Sequence, residues 1–363
     1  MSNAIEHFSR TRVENTTLQV MADTQRNLAR LIREEVSVIR RYVRLGAWPH
    51  KSVNVFVFED LQPLVSQIKN AAVLSMVVAE DIDRRPMVNV YDAADPTECT
   101  VFVNRHALEE DGVWSDALAL RALLAHEHAH PLAENETVRA ARELSVEVVA
   151  ESPASQAAIG KILHLLADRL CVHAPQEVFA NEIAIRAGFG DALFHLDKGA
   201  VEKARLGVAK RASLVQSLDK QVSGGKLNAD QVASLLLVGD LQAYLGFALE
   251  TAPFLSAGDR SQADALEAAL REGVWPHVDP AVMPLYEKLR DRYLQLRGGF
   301  SPAEMKTWAS EATALLADAL REKNLRVRFD LAPRRSTRER SRERRLESAP
   351  AHGDALEHVR GSP

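Results

Sequence analysis

The chain has 363 residues, a formal net charge of −5, 46% hydrophobic and 26% charged residues, and two cysteines, Cys99 and Cys171. That is long enough for a sizeable core and more than one domain, and the charge balance excludes a global attraction to nucleic acid or to an anionic membrane surface. Two isolated cysteines give neither a disulfide framework nor a CxxC metal motif, and a reducing, cytoplasmic setting is expected.

The first residues, MSNAIEHFSRTRVENTT, carry charges and no apolar core, unlike a signal peptide. Residues 17–44 place Leu28, Leu31, Ile32, Val36 and Ile39 at helical spacing, which predicts one long amphipathic helix ending near Gly46. The period then changes. SVNVFVF (52–58), MVNVY (87–91) and TVFVN (100–104) are short, β-branched and partly alternating, which predicts a small sheet, with 73–80 as a further candidate strand.

From 115 onward the signals are helical. Ser115 is the expected N-cap of a helix running through LALRALLAHEHAH. A second helix is expected over 136–150, and a third from Ser152-Pro153 to Val172, since proline suits the first helical position. QEVFANEIAIRAGF (176–189) follows, with Gly188 as its C-terminal signal. Residues 198–323 read as mostly helical with breaks at 223–225, 251–261, 273–284 and 298–301. The apolar window 232–249 carries Asp240 and Gln242 at its centre and lacks an unbroken run of about 20 apolar residues, so one or two buried helices are expected instead of a membrane span. RVRF (326–329) alternates like a short strand. Beyond Pro333, RRSTRERSRERR holds seven arginines and two glutamates, with little to bury, and is expected to be disordered. An arginine tail can contact nucleic acid, but no nucleic-acid-binding motif accompanies it, so that partner is not expected.

The chemistry concentrates at His126-Glu127-His128-Ala129-His130, which satisfies H-E-x-x-H. On a helix, residues four apart share one face, about 5–6 Å between Cβ atoms. Two imidazoles so placed can converge on one Zn²⁺, with Glu127 beside them as general base. His128 points away from that face and is read as a bystander. Pro131 disfavours helical geometry at His130, so the helix is expected to end or bend there while still presenting both rings. A catalytic zinc usually takes a third protein ligand. The extended pattern H-E-x-x-H-x-x-G-x-x-H is absent, and a glutamate on a later helix is expected instead. Glu177 is the first candidate and Glu182 the second, with Glu143, Glu147 and Glu151 behind them on a charged helix face.

HEHAH together with the downstream E-x-x-A-N-E-x-A-x-x-A-G-F resembles the gluzincin zinc peptidases, most closely the branch that includes HtpX-type and prenyl-protein endopeptidases. The match covers about 100–190. In that family the second motif reads E-x-x-A-D-x-x-A, its glutamate being the third ligand and its aspartate supporting a ligand histidine. The resemblance therefore implies Glu177 as ligand and Asn181 in the aspartate's place, where it can accept a ring N–H but brings no charge. It also likens TVFVN to the edge strand on which such enzymes lay their substrates.

The expected protein is α+β: a small zincin-like metallopeptidase domain, short sheet plus HExxH helix and glutamate helix, with a large α-helical C-terminal extension. The expected division is a helix over 1–50, the zinc peptidase domain over 51–197, a helical domain over 198–325 and a basic tail over 326–363. Its expected activity is zinc-dependent hydrolysis of peptide bonds in a peptide or protein substrate. His126, His130 and Glu177 hold the metal and Glu127 is the base. His173, Arg186 and His195 are further candidates for oxyanion or substrate contacts. The alternative is a peptidase-fold protein with weak or no turnover and a regulatory role, to which the Asn181 substitution and the helical extension both point.

Overall fold

A computed structural model describes residues 5–60, 82, 85–150 and 153–334. The candidate strand at 73–80 and the arginine-rich tail past Arg334 lie outside the described residues.

The chain begins with a hairpin, β1 (His7–Val13) and β2 (Thr16–Ala22), and only then enters α1 (Leu28–Arg44). The single helix expected from residue 17 is therefore wrong in its first third. Thr16, Leu18, Val20 and Ala22 bury alternate side chains, a period of two that a helical reading of the segment overlooks. The helical spacing starts at Leu28, and Leu31, Val38, Ile39 and Tyr42 go on to fill its core face.

Three more strands complete the main sheet: β3 (Ser52–Phe58), β4 (Met87–Tyr91) and β5 (Glu98–Asn104). The order is β1-β2-β3-β5-β4. β2, β3 and β5 run parallel, while β1 and β4 are antiparallel to their neighbours. All three segments expected as strands are strands. β5, however, is interior, and the sheet edge nearest the HExxH helix is β4. The expected substrate edge at 100–104 is therefore corrected: β4 occupies the hydrogen-bonding side of β5 that a peptide would have needed.

After a short α2 (Arg105–Glu110), α3 (Ala117–Ala129) carries the HExxH segment. Asp116, not Ser115, caps it, because the Asp116 carboxylate reaches the N–H groups of both Leu118 (2.9 Å) and Ala119 (3.1 Å) and its charge suits a helix N-terminus. Leu120 and Leu124 are fully buried on its core face, each worth about 1.5–3 kcal/mol of apolar burial. The Tyr42 hydroxyl donates to the Ala125 carbonyl at 2.8 Å, tying α1 to α3. The helix ends at Pro131 as expected and gives way to a 3₁₀ turn over His130–Ala133. His130 itself keeps helical geometry at φ −54° and ψ −48°, so the missing proline N–H interrupts the ladder without any extension of the residue before it.

The helix expected over 136–150 is half right. α4 spans Glu136–Arg142, and LSVEVVA then forms β6 (Leu144–Ala150). Val146 and Val148 face inward by alternation, and the partner that pairs with them is β7 (Val327–Pro333), at the far end of the described chain. So the short strand expected at 326–329 is found as Val327–Pro333, and these residues belong to a two-stranded sheet, not to the tail.

The rest is helical: α5 (Pro153–Ala167), α6 (Ala174–Ala184), α7 (Gly190–Ser223), α8 (Ala229–Tyr244), α9 (Phe247–Ala257), α10 (Arg260–Gly273), α11 (Val282–Tyr293) and α12 (Pro302–Arg321). Gly188, at φ 91°, turns the chain between α6 and α7, and a Cβ there would lie 2.6 Å from the Arg41 guanidinium. The stretch 229–257 is long and apolar enough by composition to cross a membrane. Here it is two helices meeting at Leu245-Gly246, with Leu237, Leu241, Ala248 and Ala252 in the core. Asp240, the charge at its centre, accepts two bonds from Arg211 at 2.6 and 2.7 Å. α7 runs unbroken across residue 198, and one contiguous core joins Val55 of the sheet, Leu124 of α3, Leu241 of α8 and Leu316 of α12.

Candidate metal centre

The site is built where α3 ends over the β4 edge and α6 crosses it. His126 and His130 project from one face of α3 and its 3₁₀ extension, with ring centroids 4.6 Å apart. Glu177, in the first turn of α6, brings a carboxylate oxygen to 3.2 Å from His126 Nε2. One donor atom from each of His126, His130 and Glu177 lies within 4.8 Å of the others. For bonds of about 2.0–2.1 Å at a tetrahedral centre, ligand atoms sit ~3.3 Å apart. The His126–Glu177 separation already has that value, and His130 has only a small distance to close.

Contacts behind the rings fix which nitrogen is offered. Asn181 Oδ1 lies 2.6 Å from His126 Nδ1, so that nitrogen carries a hydrogen, and Nε2, which faces Glu177, is the nitrogen that can be offered to a metal once its own proton has left. Asn181 thus stands where the family comparison of the sequence puts it. On the other ring, the Gln176 amide N–H donates to His130 Nδ1 at 3.3 Å, which orients the imidazole with its hydrogen on Nε2. Offering Nε2 to a metal takes a flip of the Gln176 amide that presents its Oε1 to Nδ1 instead. Two imidazole nitrogens and one carboxylate, three donors with an open side, form the donor set of a catalytic zinc site. The residues fit the metal.

Glu127 is buried beside the cluster, its Oε2 3.9 Å from His130 Nε2. β4 holds it there: the Asn89 N–H donates to Glu127 Oε2 at 2.9 Å, and the Asn89 side-chain amide donates to the Glu127 carbonyl at 3.0 Å. Burial pushes the Glu127 carboxyl above its ordinary pKa, against the charge of His126. Burial also opposes the charged form of His126, but the hydrogen bond and charge of Glu177 outweigh it and hold His126 up at about 9. His130 goes the other way: burial and the neighbouring His126 charge lower it to about 3. Burial alone would raise Glu177, yet the His126 hydrogen bond and the charges of both rings hold it well below the usual carboxylate range. Without metal the site therefore stores one proton on His126 between two acidic neighbours, where a cation would sit.

The other sequence candidates are placed elsewhere. His195 binds Asp116 at 2.6 Å, at the opposite end of α3. Arg186 pairs with Glu182 at 2.8 Å and donates to the Ser256 carbonyl, which also commits Glu182 to a surface pair away from the ring nitrogens. His173 contacts Asp168 at 3.1 Å and Arg334 at 3.2 Å. None of His173, Arg186 and His195 joins the cluster, because each already has a local partner of complementary charge or hydrogen-bonding capacity. Glu143 caps the C-terminus of α4 and Glu147 faces solvent from β6, while Glu151 lies outside the described residues. Among the described residues a cation that reaches the site is Arg85, half exposed, with a guanidinium nitrogen 3.9 Å from Glu177. Arg85, Asn89 and Gln176 are contributors that sequence reasoning missed. Gln176 is signalled only by its place next to Glu177. Asn89 acts partly through its backbone, which no residue type announces.

His128, read as a bystander, is completely buried on the opposite face of α3, where its Nε2 lies 2.7 Å from Glu35 Oε1. Compared with protein-family models, curated proteins and solved structures, the chain matches none.

Proposed function

We propose that this chain is a zinc-dependent peptidase of the gluzincin type, acting on peptide or protein substrates. The observation that carries the reading is the convergence of His126, His130 and Glu177 donor atoms within 4.8 Å, with buried Glu127 alongside. Zinc held by these three residues supplies a Lewis acid that lowers the pKa of water and polarises a carbonyl.

The chain's own groups account for the remaining work. Glu127, with its basicity raised by burial, takes the proton from the attacking water and returns it to the leaving amine. The Asn89 N–H keeps the carboxylate aimed at the cluster. Among the described residues β4 is the sheet edge beside the site, so a substrate backbone adds to the sheet along 87–91 through the edge groups other than the Asn89 N–H, which Glu127 holds. Arg85 offers positive charge at the rim, where an oxyanion develops. Asn181 orients His126 without lending it charge, and a lower metal affinity than an aspartate would give follows from that.

Incubation of the zinc-loaded protein with a broad peptide library, beside Glu127→Gln, tests the reading. Cleavage by the wild type that vanishes in the variant, with metal retained in both, is the expected result. Equal inertness of the two across broad libraries would instead favour a metal-holding protein with a binding role.

A further inference from the structure

A second set of ligand-type side chains lies on the other face of the same helix. His50, two residues before β3, Cys99 at the start of β5 and His128 on α3 are all buried, and one donor atom from each lies within 4.8 Å of the others. They belong to three different elements, so no local sequence spacing announces them.

Hydrogen bonds behind the two rings fix their tautomers. His50 Nδ1 faces the Pro96 carbonyl at 2.5 Å. A carbonyl only accepts, so Nδ1 carries the hydrogen and Nε2 keeps a lone pair. His128 Nε2 faces Glu35 Oε1 at 2.7 Å, so in the neutral ring Nδ1 keeps the lone pair. These two nitrogens, His50 Nε2 and His128 Nδ1, have no hydrogen-bond partner, although each residue is at most 2% exposed. Leaving a buried polar atom unpaired is costly, and here two such atoms belong to rings whose donor atoms gather with a thiol. A carboxylate or carbonyl behind each ring, with the free nitrogen turned inward, is the support that metal-ligating histidines have.

We propose that His50, Cys99 and His128 form a second, buried metal site of three protein donors, separate from the hydrolytic centre, that takes zinc. The donor types match, since thiolate and imidazole are both ligands that zinc prefers. Charge also matches. The Cys99 thiolate and the buried Glu35 carboxylate together offset a dication without leaving net charge in the core. Trp48 packs edge-on to both rings, at 4.9 and 4.8 Å between centroids, and closes the site from solvent. The bound ion ties α1, through Glu35, and the starts of two strands to α3, and so fixes the helix that presents His126 and His130 on its far side. His128 is then a ligand after all, of a different metal.

The test is the full chain produced in medium with cobalt as the only added transition metal, so that the ion is present as the protein folds. Cobalt per chain and the near-ultraviolet thiolate-to-cobalt absorption are read together. Only the second site contains a sulfur, so that absorption reports it whatever the first site does. The wild type should hold two cobalt ions with the band. The double variant His126→Ala/His130→Ala should hold one with the band kept, Cys99→Ser should lose one ion and the band, and Cys171→Ser should match the wild type. Folded wild-type protein with no thiolate band would overturn the proposal even if Cys99→Ser cannot be obtained folded, and so would a band that disappears in Cys171→Ser. One ion with the band would leave the second site standing and sink the hydrolytic one.

Discussion

Removing the oxygen behind His126 isolates one contact of the proposed centre. Asn181→Ala deletes the Oδ1 that lies 2.6 Å from His126 Nδ1 and leaves a ring N–H in a site only 15% exposed. An unpaired buried donor costs about 1–3 kcal/mol, and 1.4 kcal/mol is about tenfold in affinity. Loss of comparable supporting residues costs about 10–100-fold in metal affinity. The two estimates agree, and zinc binding should weaken by about 10–100-fold with the fold intact. Asn181→Asp runs the other way: the same geometry gains a charge, and affinity should rise. Competition against a chelator of known affinity, on protein whose circular dichroism matches the wild type, measures both. An Asn181→Ala affinity within about twofold of the wild type would refute the tautomer assignment, and with it the claim that His126 offers Nε2 to the metal.

Three further outcomes follow from the same structure. Glu127→Gln should keep zinc, since Glu127 is outside the donor set, yet lower turnover by a factor on the order of 10²–10⁴ in steady-state assays of any cleaved peptide. Metal binding should release a proton: at pH values between the two histidine pKa values, about 3 and about 9, His126 is charged, His130 neutral and Glu177 ionised. Filling the open site therefore expels the single proton on His126, and affinity should fall about tenfold per pH unit as pH drops through that window, which chelator competition at several pH values reads directly; a flat profile would contradict the charge assignment. Gly188→Ala puts a Cβ 2.6 Å from Arg41 at a positive φ and disturbs the Arg41 bond to the Ala187 carbonyl. It should destabilise the protein by about 1–3 kcal/mol, seen as a lowered denaturation midpoint.

What the sequence announced and what it hid divide by range. His126 and His130 are four residues apart, so helical geometry alone puts them on one face, and Pro131 marks the helix end. Asn181, four residues past Glu177, is likewise legible because both lie on one short helix. The helix expected over 136–150 stops short of β6 because the pairing that makes Leu144–Ala150 a strand comes from Val327–Pro333, and a valine-rich segment after a helix has no local sign of so distant a partner. β2 falls inside the helix expected from residue 17, although Leu18 and Val20, two residues apart, point to opposite sides of a helix and the alternation from Thr16 to Ala22 is the local sign of a strand. The identity of the edge strand depends on strand order, which periodicity does not contain. His50, Cys99, Glu35 and His128 are scattered singly along the chain, and only folding assembles them.

The most direct measurement is anomalous diffraction at the zinc edge from crystals grown with zinc. The account predicts a peak about 2.0–2.1 Å from His126 Nε2, His130 Nε2 and a Glu177 carboxylate oxygen. A peak that omits Glu177, or none between the two rings, would contradict it.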